Sequence, residues 1–161
     1  AKFMMGDSKG AIEALEEAYQ NVEESEKGDV AYMLGHLHYQ DGQNDKAFQY
    51  FEIIKNDEKY AQVVRPYYVQ LYYNQKDYEK AISEGNQLLN YDVSADYKAE
   101  VHKIIGESYF MLGEYDEAHP HLKNYLETQK NPSESDLYEM GFVTSQLGKY
   151  DEEFRDEVHL I

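Results

Sequence analysis

Cysteine and tryptophan are absent from the 161 residues, and basic side chains are few. Without thiols the chain can form no disulfide, thiolate zinc site or iron–sulfur cluster, and it has no cysteine nucleophile. Because proteins without cysteine occur in reducing and oxidising compartments alike, the localisation stays unknown. The chain has 15 Lys and Arg against 32 Asp and Glu. The resulting formal net charge of −17 argues against nucleic-acid and anionic membrane partners.

Long apolar runs are missing as well. No stretch approaches the roughly 18 apolar residues of a membrane-spanning helix, so no membrane insertion is predicted. We expect no signal peptide, because the start lacks the order of basic, apolar and small residues that defines one. Even so, 42 % of the residues are hydrophobic and 17 are Tyr. This apolar content is too high for a disordered acidic tail, so the chain is expected to fold.

A short pattern recurs five times along the chain. Each copy begins with Gly or Lys, and four of the five copies have Ala five residues later. The copies begin, at intervals of 36, 34, 37 and 35 residues, at Gly6, Gly42, Lys76, Gly113 and Gly148. A period of this length is typical of helical repeat proteins, in which each unit buries its apolar face against its neighbours.

The unit around Gly113 indicates what each copy forms. Its apolar residues follow helical spacing from Ala95 to Met111, and the spacing resumes from Tyr115 to Glu127. Two helices joined by a short turn predict an antiparallel hairpin. Gly inside a helix costs roughly 1 kcal/mol relative to Ala. We therefore expect close helix packing at the glycines that fall within helices, which are Gly35, Gly106 and Gly141.

The run from Ile105 to Ala118 (IGESYFMLGEYDEA) resembles a tetratricopeptide repeat, and so does Leu34 to Gly42 (LGHLHYQDG) followed by Ala47 and Phe51. The resemblance extends over essentially the whole chain. It implies an all-α fold, a right-handed α-solenoid of stacked antiparallel helix hairpins. A single array over residues 1–161 is expected, with a partial repeat at 1–26, repeats at 27–60, 61–94 and 95–132, and a terminal or truncated repeat at 133–161.

Some units depart from the family pattern. The first unit has only a stub of its first helix, and the last has Glu153 where Ala is usual, so we favour an array truncated at both ends over one that carries native caps. Gly85 stands where a bulky residue is usual, which predicts looser packing. A polar loop is expected at residues 24–28, a turn at Gly148, a helix N-cap at Ser94, and a capping box from Ser133 to Asp136.

No residue cluster points to catalysis, a cofactor or a metal. His36 and His38 lie two positions apart on a helix, on opposite sides, so they cannot share an ion, and the same holds for His119 and His121. The many carboxylates are explained as solvated helix faces, and no nucleophile or phosphate-binding motif is present. We therefore predict no catalytic residue, no cofactor and no metal site, and we expect the chain not to be an enzyme.

The resemblance also implies a binding site, because the first helix of each hairpin lines a concave groove in this family. By register, that groove would contain Asp29, Tyr32, His36, Tyr39, Gln40, Gln70, Tyr73, Asn74, Lys103, Glu107, Phe110, Met111, Tyr138 and Phe142. The clamp of Lys, Asn and Arg that grips chaperone C-termini in this family is missing. The groove is expected to be aromatic and nearly neutral, which suits a peptide or amphipathic helix with apolar anchors.

Two functions follow as hypotheses. The first is a non-enzymatic scaffold that binds a protein or peptide partner of unknown identity in the groove. The second is a structural or assembly subunit whose array ends stack on further repeats or on a second copy. The acidic, Tyr-rich style of the sequence, with motifs such as Gln75 to Ile82 (QKDYEKAI), resembles bacterial envelope-associated repeat proteins of the Bacteroidetes type, which implies a cell-envelope or periplasmic location.

Overall fold

The computed structural model describes the backbone of residues 8–159 and the side chains of residues 8–148. Within this part of the chain all regular structure is α-helical, which confirms the predicted all-α class of a helical repeat solenoid. The helices are α1 (Ser8–Asn21), α2 (Glu24–Gln40), α3 (Asn44–Ile54), α4 (Glu58–Asn74), α5 (Tyr78–Leu89), α6 (Ala95–Met111), α7 (Tyr115–Glu127) and α8 (Glu134–His159). Two compact units contain them: unit 1 ends at Gln75 and holds α1–α4, and unit 2 begins at Lys76 and holds α5–α8.

Side-chain caps define several helix starts. The hydroxyl of Ser94 accepts a hydrogen bond from the backbone N–H of Tyr97 at 3.2 Å, as the predicted N-cap requires. At the start of α8, the N–H of Asp136 donates to Ser133 Oγ at 3.1 Å, and the N–H of Ser133 donates to Asp136 Oδ2 at 3.4 Å. These two bonds confirm the predicted capping box.

The turns between the helices of each hairpin share one backbone conformation. Gly42 (φ +74°), Lys76 (φ +63°) and Gly113 (φ +76°) all lie in the left-handed region. Gly adopts this conformation without steric cost, whereas a side chain there costs roughly 1–2 kcal/mol. The recurring first residue of the pattern is therefore the residue that reverses the chain.

In unit 1, the hairpin of α2 and α3 closes around a glycine. Gly35 lies so near the fully buried Phe51 that a Cβ on Gly35 would come within 2.4 Å of the phenyl ring. Ala47 is also fully buried, as expected for the recurring small residue. The core extends to α4 through buried Tyr60, Val64, Tyr68 and Leu71.

Unit 2 repeats this arrangement. A Cβ on Gly106 of α6 would come within 2.8 Å of Leu122 on α7, and Ala118 beside it is fully buried. Close packing at Gly35 and Gly106 is thus confirmed. The looser packing predicted at Gly85 is wrong, because the side chain of Ile105 fills the space, with its Cγ1 2.7 Å from where a Cβ on Gly85 would lie.

Three other expectations are wrong. Residues 24–28 form the first turn and a half of α2 and not a loop, since Gly28 allows Tyr60 to pack against the helix. Among the residues whose side chains are described, Gly141 has no atom within 4 Å of where its Cβ would lie, so it is not closely packed. The turn predicted at Gly148 is wrong, because α8 continues through it. Where the other copies have Ala five residues later, this copy has Glu153, and a carboxylate cannot be buried at a hairpin contact without a partner. The first copy, at Gly6, lies outside the described residues.

Candidate functional site

The first helices of unit 1, α2 and α4, share an aromatic surface centred on Tyr67. The Tyr67 ring lies 6.3 Å from the ring of Tyr32, 5.7 Å from His36 and 5.1 Å from Tyr39, all measured between ring centroids. Its hydroxyl and Nδ1 of His36 are 2.6 Å apart, which is a hydrogen bond. These four residues, each partly buried, define the α2–α4 face.

An ion pair lies at the amino-terminal end of this face. Tyr60 donates its hydroxyl hydrogen to Asp29, and Lys59 Nζ lies 3.0 Å from the same carboxylate oxygen. Hydrogen bonds from Tyr60 and Lys59 lower the pKa of Asp29, so this exposed carboxylate is ionised at neutral pH. Asp29 therefore has partners within unit 1 before any ligand arrives.

The other predicted residues of unit 1 lie toward the carboxyl ends of the same helices. Gln70 donates to Asn74 at 2.8 Å within α4, and Tyr73 beside them is half-buried. Gln40 is exposed at the end of α2. The structure therefore brings Tyr32, His36 and Tyr39 together through Tyr67, and it leaves Gln40 and Asn74 open to solvent.

In unit 2, α6 and α8 face each other through three successive pairs of side chains. Lys103 Nζ lies 3.9 Å from Asp136 Oδ1 in the first pair. One turn further along each helix lie Glu107 and Glu139, and the charge of Glu107 contributes to the raised pKa of Glu139. After another turn, the rings of Phe110 and Phe142 are 5.6 Å apart. We call these six residues the α6–α8 face.

Glu139, in the middle of this face, has a strongly raised pKa. Burial, together with the charges of Glu107 and Asp136, raises the pKa of Glu139 to about 7, against an ordinary value of 4.5. Lys103 opposes this shift, but its ammonium also lies 5.0 Å from the Tyr125 ring centroid and pairs with Asp136. The nearly neutral groove that the sequence indicates stays a prediction.

Apolar side chains border the α6–α8 face and remain accessible. Met111 is 53 % exposed and Tyr138 is 69 % exposed. The Tyr138 ring lies 6.4 Å from Phe142, and the Tyr115 ring of α7 packs 5.4 Å from Phe142 on its other side. An aromatic surface of this kind can receive an apolar anchor from a partner.

Sequence reasoning missed three residues of these faces. On α4 the family register placed Gln70, Tyr73 and Asn74 in the groove, and not Tyr67. On α8 it placed Tyr138 and Phe142 there, and not Asp136 and Glu139. Counting back from Phe142 in steps of three would have found both acids, because residues three apart share one helix face.

The histidines form one contact that sequence spacing did not predict. His102 and His121 approach across α6 and α7 with their Nδ1 atoms 2.9 Å apart, and burial lowers the pKa of each. At this distance the Nδ1–H of one neutral imidazole donates a hydrogen bond to the unprotonated Nδ1 of the other. In the described residues there is no group of three or more His, Asp or Glu side chains placed to hold a metal ion.

The helices of the described residues include none with the length and apolar character needed to cross a membrane.

Comparisons with known proteins bear on the hairpin of α2 and α3. A comparison with curated proteins found no match. Residues 28–52, which include most of α2 and α3, match the family described as Tetratricopeptide repeat. That match, on the hairpin that carries Tyr32, His36 and Tyr39, supports a tetratricopeptide repeat protein.

Proposed function

We propose that this protein is a non-enzymatic interaction scaffold that binds a partner segment on the first helices of its hairpins. Tetratricopeptide repeats generally mediate protein–protein interactions. The observation that carries the proposal is that partly exposed aromatic rings lie on these helices in both units: Tyr32, Tyr39 and Tyr67 in unit 1, and Phe110, Phe142 and Tyr138 in unit 2.

Aromatic side chains suit this role for a physical reason. Tyr and Phe offer large contact areas and lose little conformational entropy on binding, so they dominate the binding energy of many interfaces. Truncating one such anchor typically costs about 2 kcal/mol or more, which is roughly a 30-fold loss of affinity. The envelope location implied by the Tyr-rich style of the sequence stays a prediction.

The test compares two groove variants with a control on a second helix. Twelve-residue peptides selected from a random display library on the intact chain would be titrated against wild type, Tyr39→Ala, Phe110→Ala and Ile53→Ala. Ile53 lies on α3 and is 52 % exposed, so it offers a similar loss of apolar surface away from both faces. We expect at least one groove variant to lose tenfold or more in affinity, and Ile53→Ala to bind as wild type.

Thermal melts followed by circular dichroism identify variants that fail to fold. If both groove variants melt as wild type and keep full affinity for every selected peptide, the groove does not bind the partner and the proposal is wrong.

An assembly role is the second candidate, and one observation favours it. Gly141 of α8 is at the same position in the pattern as Gly35 and Gly106, yet no described residue packs against it, and Leu137 one turn earlier is 56 % exposed. A second copy or a further repeat could pack on this open side of α8. Light scattering at several concentrations tests this role: a dimer that Leu137→Glu dissociates would support it, and a monomer at all concentrations would refute it.

A further inference from the structure

Two histidines from different helices meet within the hairpin of α6 and α7. His102 of α6 and His121 of α7 approach with their Nδ1 atoms 2.9 Å apart and their ring centroids 5.1 Å apart. Spacing along the sequence offers His121 only His119 as a neighbour, and residues two apart lie on opposite sides of a helix. The fold therefore supplies, from α6, a second imidazole that the sequence alone does not place beside His121.

Tight helix packing beside this pair holds the two rings in position. Gly106 lies one turn after His102, and a Cβ on Gly106 would lie 3.1 Å from the backbone nitrogen of Leu122, the residue that follows His121. The ring of Tyr109 stacks on the ring of His121, with centroids 5.9 Å apart and planes at 26°. Both imidazoles are partly buried, so packing fixes them while solvent still reaches them.

We propose that His102 and His121 form a two-histidine site for a divalent late transition-metal ion, with Cu²⁺ bound most tightly. Imidazole nitrogens suit Cu²⁺, Ni²⁺ and Zn²⁺, and bind at about 2.0–2.1 Å. Two nitrogens at this bond length lie about 2.9 Å apart when they meet the ion at a right angle, and about 3.4 Å apart at the tetrahedral angle. The observed 2.9 Å matches adjacent ligands in the tetragonal geometry of Cu²⁺ and Ni²⁺.

Binding of the ion replaces the hydrogen bond between the two rings. In the free protein the Nδ1–H of one neutral imidazole donates to the Nδ1 of the other. The donor ring moves its proton from Nδ1 to Nε2, which keeps both rings neutral and frees both Nδ1 lone pairs for the ion. In the described part of the chain no third His, Asp or Glu joins the pair in a metal-binding group, so water takes the remaining coordination positions.

The charges around the pair act in opposite directions on a bound ion. The net charge of −17 raises the concentration of cations near the protein. Lys98 precedes His102 by four residues on α6, so the two side chains share one helix face and the ammonium repels the ion. Lys98→Gln should therefore strengthen binding about twofold, in the direction opposite to a loss of either histidine.

The experiment titrates Cu²⁺, Ni²⁺ and Zn²⁺ into the intact chain after dialysis against a chelator. Calorimetry with glycine as a competing ligand measures the affinities. We expect one tightly bound Cu²⁺ per chain, with Zn²⁺ weaker by about tenfold or more. His102→Gln and His121→Gln should each weaken Cu²⁺ by about tenfold or more, because one of the two protein ligands is lost. His119→Gln is the matched control on α7 and should bind as wild type.

Electron paramagnetic resonance of the Cu²⁺-loaded wild type counts the coordinating imidazoles and does not depend on the folding of any variant. Two are expected in wild type and one in each folded histidine variant, with circular dichroism melts of the metal-free proteins to confirm folding. Fewer than two imidazoles on the wild-type ion would overturn the proposal. A folded His121→Gln variant that binds Cu²⁺ as tightly as wild type would also overturn it, and so would an equal loss of affinity in His119→Gln.

Discussion

Three glycines at the same position of the repeat should respond to one substitution in opposite directions. Gly35, Gly106 and Gly141 each lie inside a helix, seven residues before the next copy of the pattern. Replacing a helical Gly by Ala gains about 1 kcal/mol of stability where the new methyl group meets no obstacle. The packing around each glycine therefore decides the sign of the change.

At Gly35 the obstacle is a rigid ring. The new Cβ would lie 2.4 Å from Phe51 Cε1, and Phe51 cannot retreat because it is fully buried and stacked on Tyr67 with ring centroids 4.7 Å apart. Overpacking a core costs about 1–3 kcal/mol, and an overlap this severe belongs at the upper end. After the helical gain is subtracted, Gly35→Ala should lower the free energy of unfolding by about 1–2 kcal/mol.

Gly106 and Gly141 form a matched pair within unit 2. At Gly106 the new Cβ would meet Leu122 Cδ2 at 2.8 Å and the Leu122 backbone nitrogen at 3.1 Å, and a backbone atom cannot shift cheaply. Gly106→Ala should therefore destabilise by about 1 kcal/mol. At Gly141 no atom of the described side chains lies within 4 Å, so Gly141→Ala should stabilise by the full helical gain of about 1 kcal/mol.

Urea denaturation followed by far-ultraviolet circular dichroism measures all three changes, and thermal melts should shift by about 2–4 °C per kcal/mol. Three shifts of the same sign would refute the assignment of Gly35 and Gly106 as packing residues. A destabilised Gly141→Ala would mean that another surface covers α8, and light scattering of the wild type would show whether that surface is a second copy.

Two further predictions concern protonation. The folded-state pKa of Glu139, about 7, lies above its ordinary value of 4.5, so its charge destabilises the fold fully above pH 7 and not below pH 4.5. Glu139→Gln should thus raise the free energy of unfolding at pH 8 by about 1–2 kcal/mol, after allowance for solvent screening, and should change it little at pH 4.5. Urea titrations at the two pH values measure both effects, and equal effects would contradict the prediction. His38 is buried and stacked on Tyr50, and its Nε2 lies 3.5 Å from Glu16 without hydrogen-bond geometry. Burial and the positive charge of Lys46 lower the pKa of His38 below 6.5, and the negative charges of Glu16 and Asp41 offset this only in part. As the pH falls, His38 of the unfolded chain is protonated before His38 of the folded protein, so the free energy of unfolding should decrease below pH 6.5 by up to about 1.4 kcal/mol per pH unit. His38→Gln should reduce this dependence of stability on pH. An unchanged dependence would show that His38 does not cause it.

Local features of the fold were predictable from the sequence. The hairpins follow from helical spacing interrupted at Gly42 and Gly113, and the start of α8 follows from the capping box at Ser133. Ala47 and Ala118 are fully buried where the pattern requires small residues. In each case the cause lies within a few residues of the effect, so spacing and residue type were sufficient.

Features that depend on distant residues were not predictable in the same way. Gly28 looks like a loop residue until Tyr60, 32 positions later, is seen packed against it. Tyr67 becomes the centre of the α2–α4 face only through the rotation of α4 about its own axis, which helix packing decides. Aligning the sequence with the family pattern assigns each helix position with an error of about one residue. An error of one residue turns a helix by about 100°, which is enough to place the wrong side chain on the face.

Glu139 shows how a single charge can lower stability without disturbing the helix that carries it. Partial burial, with the charges of Glu107 and Asp136, raises its pKa to about 7, so ionising it costs free energy in the folded protein. The decisive result is a Glu139→Gln variant that unfolds at a higher urea concentration than wild type at pH 8 and at the same concentration at pH 4.5. A gain from any cause other than the removed charge, such as better helix propensity, would appear at both pH values.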